Sequence, residues 1–177
     1  MIRCYVTDRR AGDVIASSAR AIRNGVDFIQ VREKDMTARD LFDLVSTIRD
    51  LAAGTTTRVL VNDRVDIALA AGVDGVHLPG NGLPARRVRP LVKLLGVSIH
   101  TVDEALDAEA AGADFVLFGS VFESPGKTAA GLDALRRVAA SVKIPVLAIG
   151  GITSSNTELA LNAGAAGIAG IRLFQMD

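Results

Sequence analysis

Short runs of consecutive apolar residues alternate along the chain with longer stretches whose apolar positions recur every three or four residues. The first pattern predicts strands buried on both faces and the second predicts amphipathic helices. The strand-like runs fall near residues 3–7, 27–32, 58–62, 74–78, 94–98, 114–119, 145–149 and 166–171. Helix-period segments lie between them, at 11–24, 37–53, 64–71, 84–92, 102–111, 129–142 and 154–163. Thr37 and Thr101 stand where helices should start, each with acidic residues just inside. Strands alternating with helices imply a parallel sheet covered by helices.

A repeat makes the prediction sharper. Asn24-Gly25-Val26-Asp27-Phe28-Ile29 recurs as Ala71-Gly72-Val73-Asp74-Gly75-Val76 and as Ala111-Gly112-Ala113-Asp114-Phe115-Val116. A fourth copy, Ala163-Gly164-Ala165-Ala166-Gly167-Ile168, has lost the Asp. In each copy the glycine ends a helical pattern and an apolar strand follows. The copies stand about 40 to 50 residues apart, which is long for one strand–helix unit and fits two. Four double units make eight strands and favour a closed (β/α)8 TIM barrel over an open doubly wound sheet. No linker or charge block interrupts the alternation, so residues 1–177 are read as one domain.

Composition adds exclusions. The 177 residues carry 20 Lys and Arg against 20 Asp and Glu, which argues against a nucleic-acid binder. The lone cysteine, Cys4, allows no internal disulfide and no cysteine-built metal site, and reads as a buried thiol. No apolar run is long enough to span a membrane, and the N-terminus lacks the plan of a signal peptide, so a cytoplasmic location is expected. The length is short for such a barrel. Only Arg172 to Asp177 follow the eighth strand, so the last outer helix should be largely missing. Val14, Ile15, Leu159 and Leu161 should then be partly uncovered and a homodimer should cover them, with Leu173 and Phe174 packed rather than loose.

Barrel chemistry is expected at the C-terminal strand ends. Gln30 and Arg32 alternate with Val31, so both face the mouth while Val31 packs outward. Arg32 and Lys34, with Lys127 from another loop, suit a polyanion such as a diphosphate. Asp63 beside Asn62 offers oxygen ligands for Mg²⁺. Gly150-Gly151 and Gly170 would expose backbone N–H groups in a phosphate cradle. Read singly, Arg32 and Glu33 fit a rim ion pair, Asn62 a loop cap, and His77 and His100 structural hydrogen bonds. Together at one end of a barrel, they favour an anionic, phosphate-bearing ligand.

At these residues the chain resembles the thiamine phosphate synthase and thiazole tautomerase family over nearly its whole length. The matching stretches include Cys4-Tyr5-Val6-Thr7-Asp8, Ile29-Gln30-Val31-Arg32-Glu33-Lys34 and Val61-Asn62-Asp63-Arg64-Val65-Asp66. Others are Gly75-Val76-His77-Leu78, Gly96-Val97-Ser98-Ile99-His100-Thr101, Phe118-Gly119-Ser120-Val121-Phe122 and Ala148-Ile149-Gly150-Gly151-Ile152. The resemblance implies a synthase that joins hydroxymethylpyrimidine diphosphate to a thiazole phosphate and releases pyrophosphate. The pyrimidine would leave first as a stabilised cation, which the thiazole nitrogen captures. By the same resemblance Gln30, Arg32, Lys34, Asn62 and Lys127 would hold the diphosphate, Asp63 would bind Mg²⁺, and Ser98 would contact the pyrimidine or pyrophosphate. Gly151, Gly170 and Ile171 would hold the thiazole phosphate.

The chain departs from that pattern in places. The synthases carry a second Mg²⁺ carboxylate where this chain has Gly82. Their threonine-rich loop is here Ser124-Pro125-Gly126-Lys127, and the segment after strand eight reads Gly170-Ile171-Arg172 where a serine is usual. The Leu78-Pro79 loop and Val116-Leu117-Phe118-Gly119 look like the tautomerase branch, whose histidine is replaced here by Ser120. The readings therefore rank as synthase, tautomerase-like protein, then non-catalytic phosphate-ligand-binding paralogue.

Overall fold

The computed structural model describes residues 1–126 and 128–175. Eight parallel strands close in sequence order into a barrel: β1 (Ile2–Val6), β2 (Phe28–Val31), β3 (Arg58–Asn62), β4 (Gly75–Leu78), β5 (Leu94–Ile99), β6 (Phe115–Phe118), β7 (Val146–Ile149) and β8 (Gly167–Gly170). β8 pairs back onto β1, with Ile2 opposite Gly167 and Tyr5 opposite Gly170. Helices α1 (Val14–Arg23), α2 (Ala38–Ala52), α3 (Val65–Ala71), α4 (Ala85–Val88), α5 (Val102–Ala110), α6 (Leu132–Ser141) and α7 (Thr157–Asn162) fill the connections. A one-turn α8 (Arg172–Gln175) ends the described chain.

The expected TIM barrel is therefore present, with local differences at the helix ends. α4 stops at Val88 and tightens into a 3-10 turn at Arg89–Leu91, because Pro90 has no N–H to continue an α-helix. α6 begins at Leu132 rather than 129, since the Ala130 and Gly131 N–H groups donate to the Ser120 and Val121 carbonyls. The starts at Thr37 and Thr101 hold: each hydroxyl accepts from the N–H three residues on, at 3.2 Å.

The repeat has a structural cause. Gly25, Gly72, Gly112 and Gly164 all have left-handed φ, between 65° and 98°, and end α1, α3, α5 and α7. The aspartates then tie strand to strand. Asp27, Asp74 and Asp114 accept from the backbone N–H of Arg3, Val59 and Leu95 at 2.7, 2.8 and 2.7 Å. Each also donates its own N–H to the carbonyl of the same residue. The fourth copy keeps the second bond, Ala166 to Val146 at 2.9 Å, and lacks the carboxylate.

Strand alternation sorts the core into an inside and an outside. Cys4, Val6, Leu60, Phe115, Leu117, Leu147 and Ala169 fill the barrel. Tyr5, Ile29, Val31, Val59, Val61 and Val76 pack outward against the helices. Burial pushes the Cys4 thiol up to about 12, as an inert thiol requires.

The β8–α1 seam is better sealed than the sequence suggests. Phe174 is buried, its ring 6.2 Å from that of Tyr5 and 5.5 Å from the Arg3 guanidinium carbon. Gln175 donates to the Tyr5 hydroxyl at 3.1 Å and to the Asp8 carbonyl at 3.2 Å, while Arg20 donates to the Gln175 carbonyl at 2.7 Å. This corrects one expectation: Val14 is buried in the cluster that contains Phe174 and Tyr5. Ile15 and Leu159 are exposed as expected, at 44% and 51%, and Leu161 is half-buried.

Candidate active site at the C-terminal mouth

β2 to β5 carry Gln30, Asn62, His77 and Ser98 on their inward faces, toward the C-terminal strand ends. Val6 stands opposite Gln30, Gln30 opposite Leu60, Asn62 opposite His77, and His77 opposite Gly96. Gln30 is 2% exposed and its amide nitrogen has no protein partner, a donor available to a ligand or water. Arg32 follows β2 and is half-buried; Lys34 is exposed beyond it. The Arg32 guanidinium lies near enough to His77 to oppose its protonation.

Arg32 is not in a rim ion pair with Glu33. Glu33 turns away, accepting from the Thr7 hydroxyl at 2.6 Å and from the Arg9 N–H at 3.2 Å. Thr7 in turn accepts from the Arg32 backbone N–H at 2.9 Å. This buried pair of bonds fixes the strand end that carries Arg32. Sequence reasoning missed it, because Thr7 and Glu33 are far apart in the chain and meet only through β1–β2 pairing.

Asp63 leaves β3 in the left-handed region (φ 64°), with its N–H donating to the His77 carbonyl at 2.9 Å. Aspartate tolerates that conformation better than most residues. Its carboxylate is exposed and faces Gly82, where an added Cβ would lie 2.9 Å from Oδ1. Among the described residues no group of three or more His, Cys, Asp and Glu gathers here. The carboxylate fits a cation shared with ligand oxygens and does not form a cage by itself.

His77 is 1% exposed, and its Nε2 lies 2.8 Å from the Ser98 hydroxyl on β5. Burial, aided by Arg32, lowers its pKa to about 3, so the imidazole is neutral. The structural reading of His100 also holds: its Nδ1 lies 2.7 Å from the Gly119 carbonyl, bracing β5 against the β6 loop.

Across the mouth, Gly150 and Gly151 have φ of 92° and 65° and pass hard against the β6 loop. A Cβ would meet Ser120 Oγ at 2.1 Å from Gly150 and the Glu123 carbonyl at 2.5 Å from Gly151, so only glycine fits either position. Gly170 ends β8 and Ile171 follows it, half-buried. Lys127 lies outside the described residues. A cavity of about 420 Å³ opens beside this loop between His100, Ser120 and Thr128. A larger one, of about 550 Å³, lies at the opposite end near Arg58 and Asp74, whose charges pair at 3.1 Å.

The geometry thus gathers a cationic and amide-lined half-ring on β2 to β5 and a glycine-lined quarter on β7 and β8. A model of the thiamine monophosphate synthase family matches residues 4–174. The chain belongs to this family. A relative from Geobacter sulfurreducens is 47% identical over 174 residues, covering 93% of this chain and 82% of its own. A thiamine-phosphate synthase of Caldanaerobacter subterraneus subsp. tengcongensis is 38% identical over 176 residues, covering 94% of this chain and 82% of its own. Among solved structures, the thiamine phosphate pyrophosphorylase of Pyrococcus furiosus superposes with a TM-score of 0.90 at 37% identity. That match covers 97% of this chain and 85% of the Pyrococcus chain.

Proposed function

We propose that the chain acts in thiamine biosynthesis as a thiamine-phosphate synthase, joining hydroxymethylpyrimidine diphosphate to thiazole phosphate with release of pyrophosphate. The observation that carries this reading is the division of the barrel mouth. Gln30, Arg32, Lys34, Asn62 and Ser98 stand on the β2–β5 side, where a diphosphate would meet them; by the family resemblance Lys127, outside the described residues, would be a further diphosphate contact. Gly151, Gly170 and Ile171 offer backbone on the β7–β8 side for the thiazole phosphate. The reacting carbon would sit between.

The pyrimidine carbon–oxygen bond breaks with both electrons passing to pyrophosphate, and the thiazole nitrogen lone pair then forms the new carbon–nitrogen bond. Such a step needs charge stabilisation on the leaving group more than a base. Arg32 and Lys34 supply fixed positive charge, while Gln30 and Ser98 supply donors. Asp63 would hold Mg²⁺ together with diphosphate oxygens, and when bound the cation neutralises charge on the leaving group.

The tautomerase reading lacks its acid–base residue. Ser120 donates its hydroxyl to the Phe122 carbonyl at 2.7 Å and lies 2.9 Å from Ser124 Oγ. The reading treats the chain as one domain acting on small phosphorylated substrates in the cytoplasm as a homodimer. No helix among the described residues is long and apolar enough to cross a membrane. Incubating purified protein with both substrates and Mg²⁺ should yield thiamine phosphate and pyrophosphate. Calorimetric binding of the diphosphate without turnover would reject catalysis and leave the binding paralogue.

A further inference from the structure

The His77–Ser98 pair carries more than packing. Its two ends differ: Nε2 meets the Ser98 hydroxyl, whereas Nδ1 is buried with no hydrogen-bond partner. Nδ1 faces the bare backbone of Gly96 and the edge of Phe115. A Cβ built on Gly96 would lie 2.6 Å from Nδ1 and 2.4 Å from Phe115 Cζ. The His77 and Phe115 rings are 6.0 Å apart, centre to centre.

An imidazole carries its N–H on Nδ1, on Nε2 or, when charged, on both. On Nδ1 it would be a buried donor without an acceptor, which folded proteins almost never leave. On Nε2 it has the Ser98 oxygen. Only a lone pair is then stranded against Gly96, the less costly arrangement.

We infer that His77 is a positioning residue that donates Nε2–H to Ser98 Oγ and thereby leaves the Ser98 hydroxyl proton free to point into the mouth. Had serine donated to histidine, it would present a lone pair to the ligand and repel an anion. With histidine donating, Ser98 presents an O–H to an oxygen of the leaving diphosphate. The inference rests on the proposed diphosphate site, but the tautomer can be read without it.

Three measurements test it. ¹⁵N shifts of His77 in labelled protein should show a neutral ring protonated on Nε2, with or without substrate; a ring protonated on Nδ1 overturns the inference. Binding of inorganic pyrophosphate with magnesium chloride should weaken about tenfold in His77→Phe, which keeps an aromatic ring against Phe115 and loses the donor. His77→Gln, which carries an N–H to a similar position, should recover most of that loss. The effect of His77→Phe should vanish in a Ser98→Ala background. Equal weakening with and without Ser98 would mean that His77 only fills space, and overturns the inference. If His77→Phe does not fold, His77→Gln and the ¹⁵N shifts decide. A wild-type protein without turnover would count against the synthase reading while leaving the tautomer result standing.

Discussion

At Arg32 the backbone and the side chain have separate tasks. The N–H is locked onto Thr7, and the guanidinium has no carboxylate partner among the described residues. Arg32→Ala should therefore leave thermal stability nearly unchanged and cost about 1.5 to 3 kcal/mol of diphosphate affinity, read by calorimetry. An unchanged dissociation constant would remove Arg32 from the site. Gly82 is the complementary case. Its Cα already faces the Asp63 carboxylate, so Gly82→Asp would bring two carboxylates together. Without metal the variant should melt lower through like-charge repulsion, and Mg²⁺ titration should show tighter binding than in the parent. The parent itself should bind Mg²⁺ weakly until diphosphate is present. Cys4, buried and with its thiol held protonated, should resist alkylation in the native protein and react only on unfolding.

The elements owe much of their order to a motif readable in the sequence as a repeat but not as a function. Gly25, Gly72 and Gly112 terminate helices, and the aspartate two residues later accepts from the N-terminal end of the preceding strand. Asp74→Ala leaves the Val59 N–H and Arg58 without their partner. It should lower stability by about 1 to 3 kcal/mol, seen as a lower urea midpoint with unchanged slope. An unchanged midpoint would mean that water replaces the carboxylate. The same logic explains why helix ends were the least legible feature. The first turn expected of α6 is diverted because its N–H groups serve the β6 loop, a partner that no local pattern announces.

For the whole molecule, α8 closes the seam between β8 and α1 with one turn, anchored by Phe174 and Gln175. It leaves Ile15 and Leu159 exposed. A homodimer that buries them remains the expected assembly, and sedimentation at micromolar concentration should show it. A monomer alone would mean that these side chains are tolerated singly in water.

Apolar periodicity and the fourfold Gly-to-strand repeat determined the alternation of strands and helices, because each depends on spacing within one element. Alternation on β2 likewise put Gln30 and Arg32 on the mouth side of Val31. The matched stretches identified the family and its candidate residues. Tertiary structure alone decided what those residues touch. Glu33 is committed to Thr7 rather than Arg32, Gly82 abuts Asp63, and His77 reaches Ser98 through a gap kept open by Gly96. Each is a contact between different strands or loops, set by barrel closure and register, and none of the three is encoded in the spacing of a single segment.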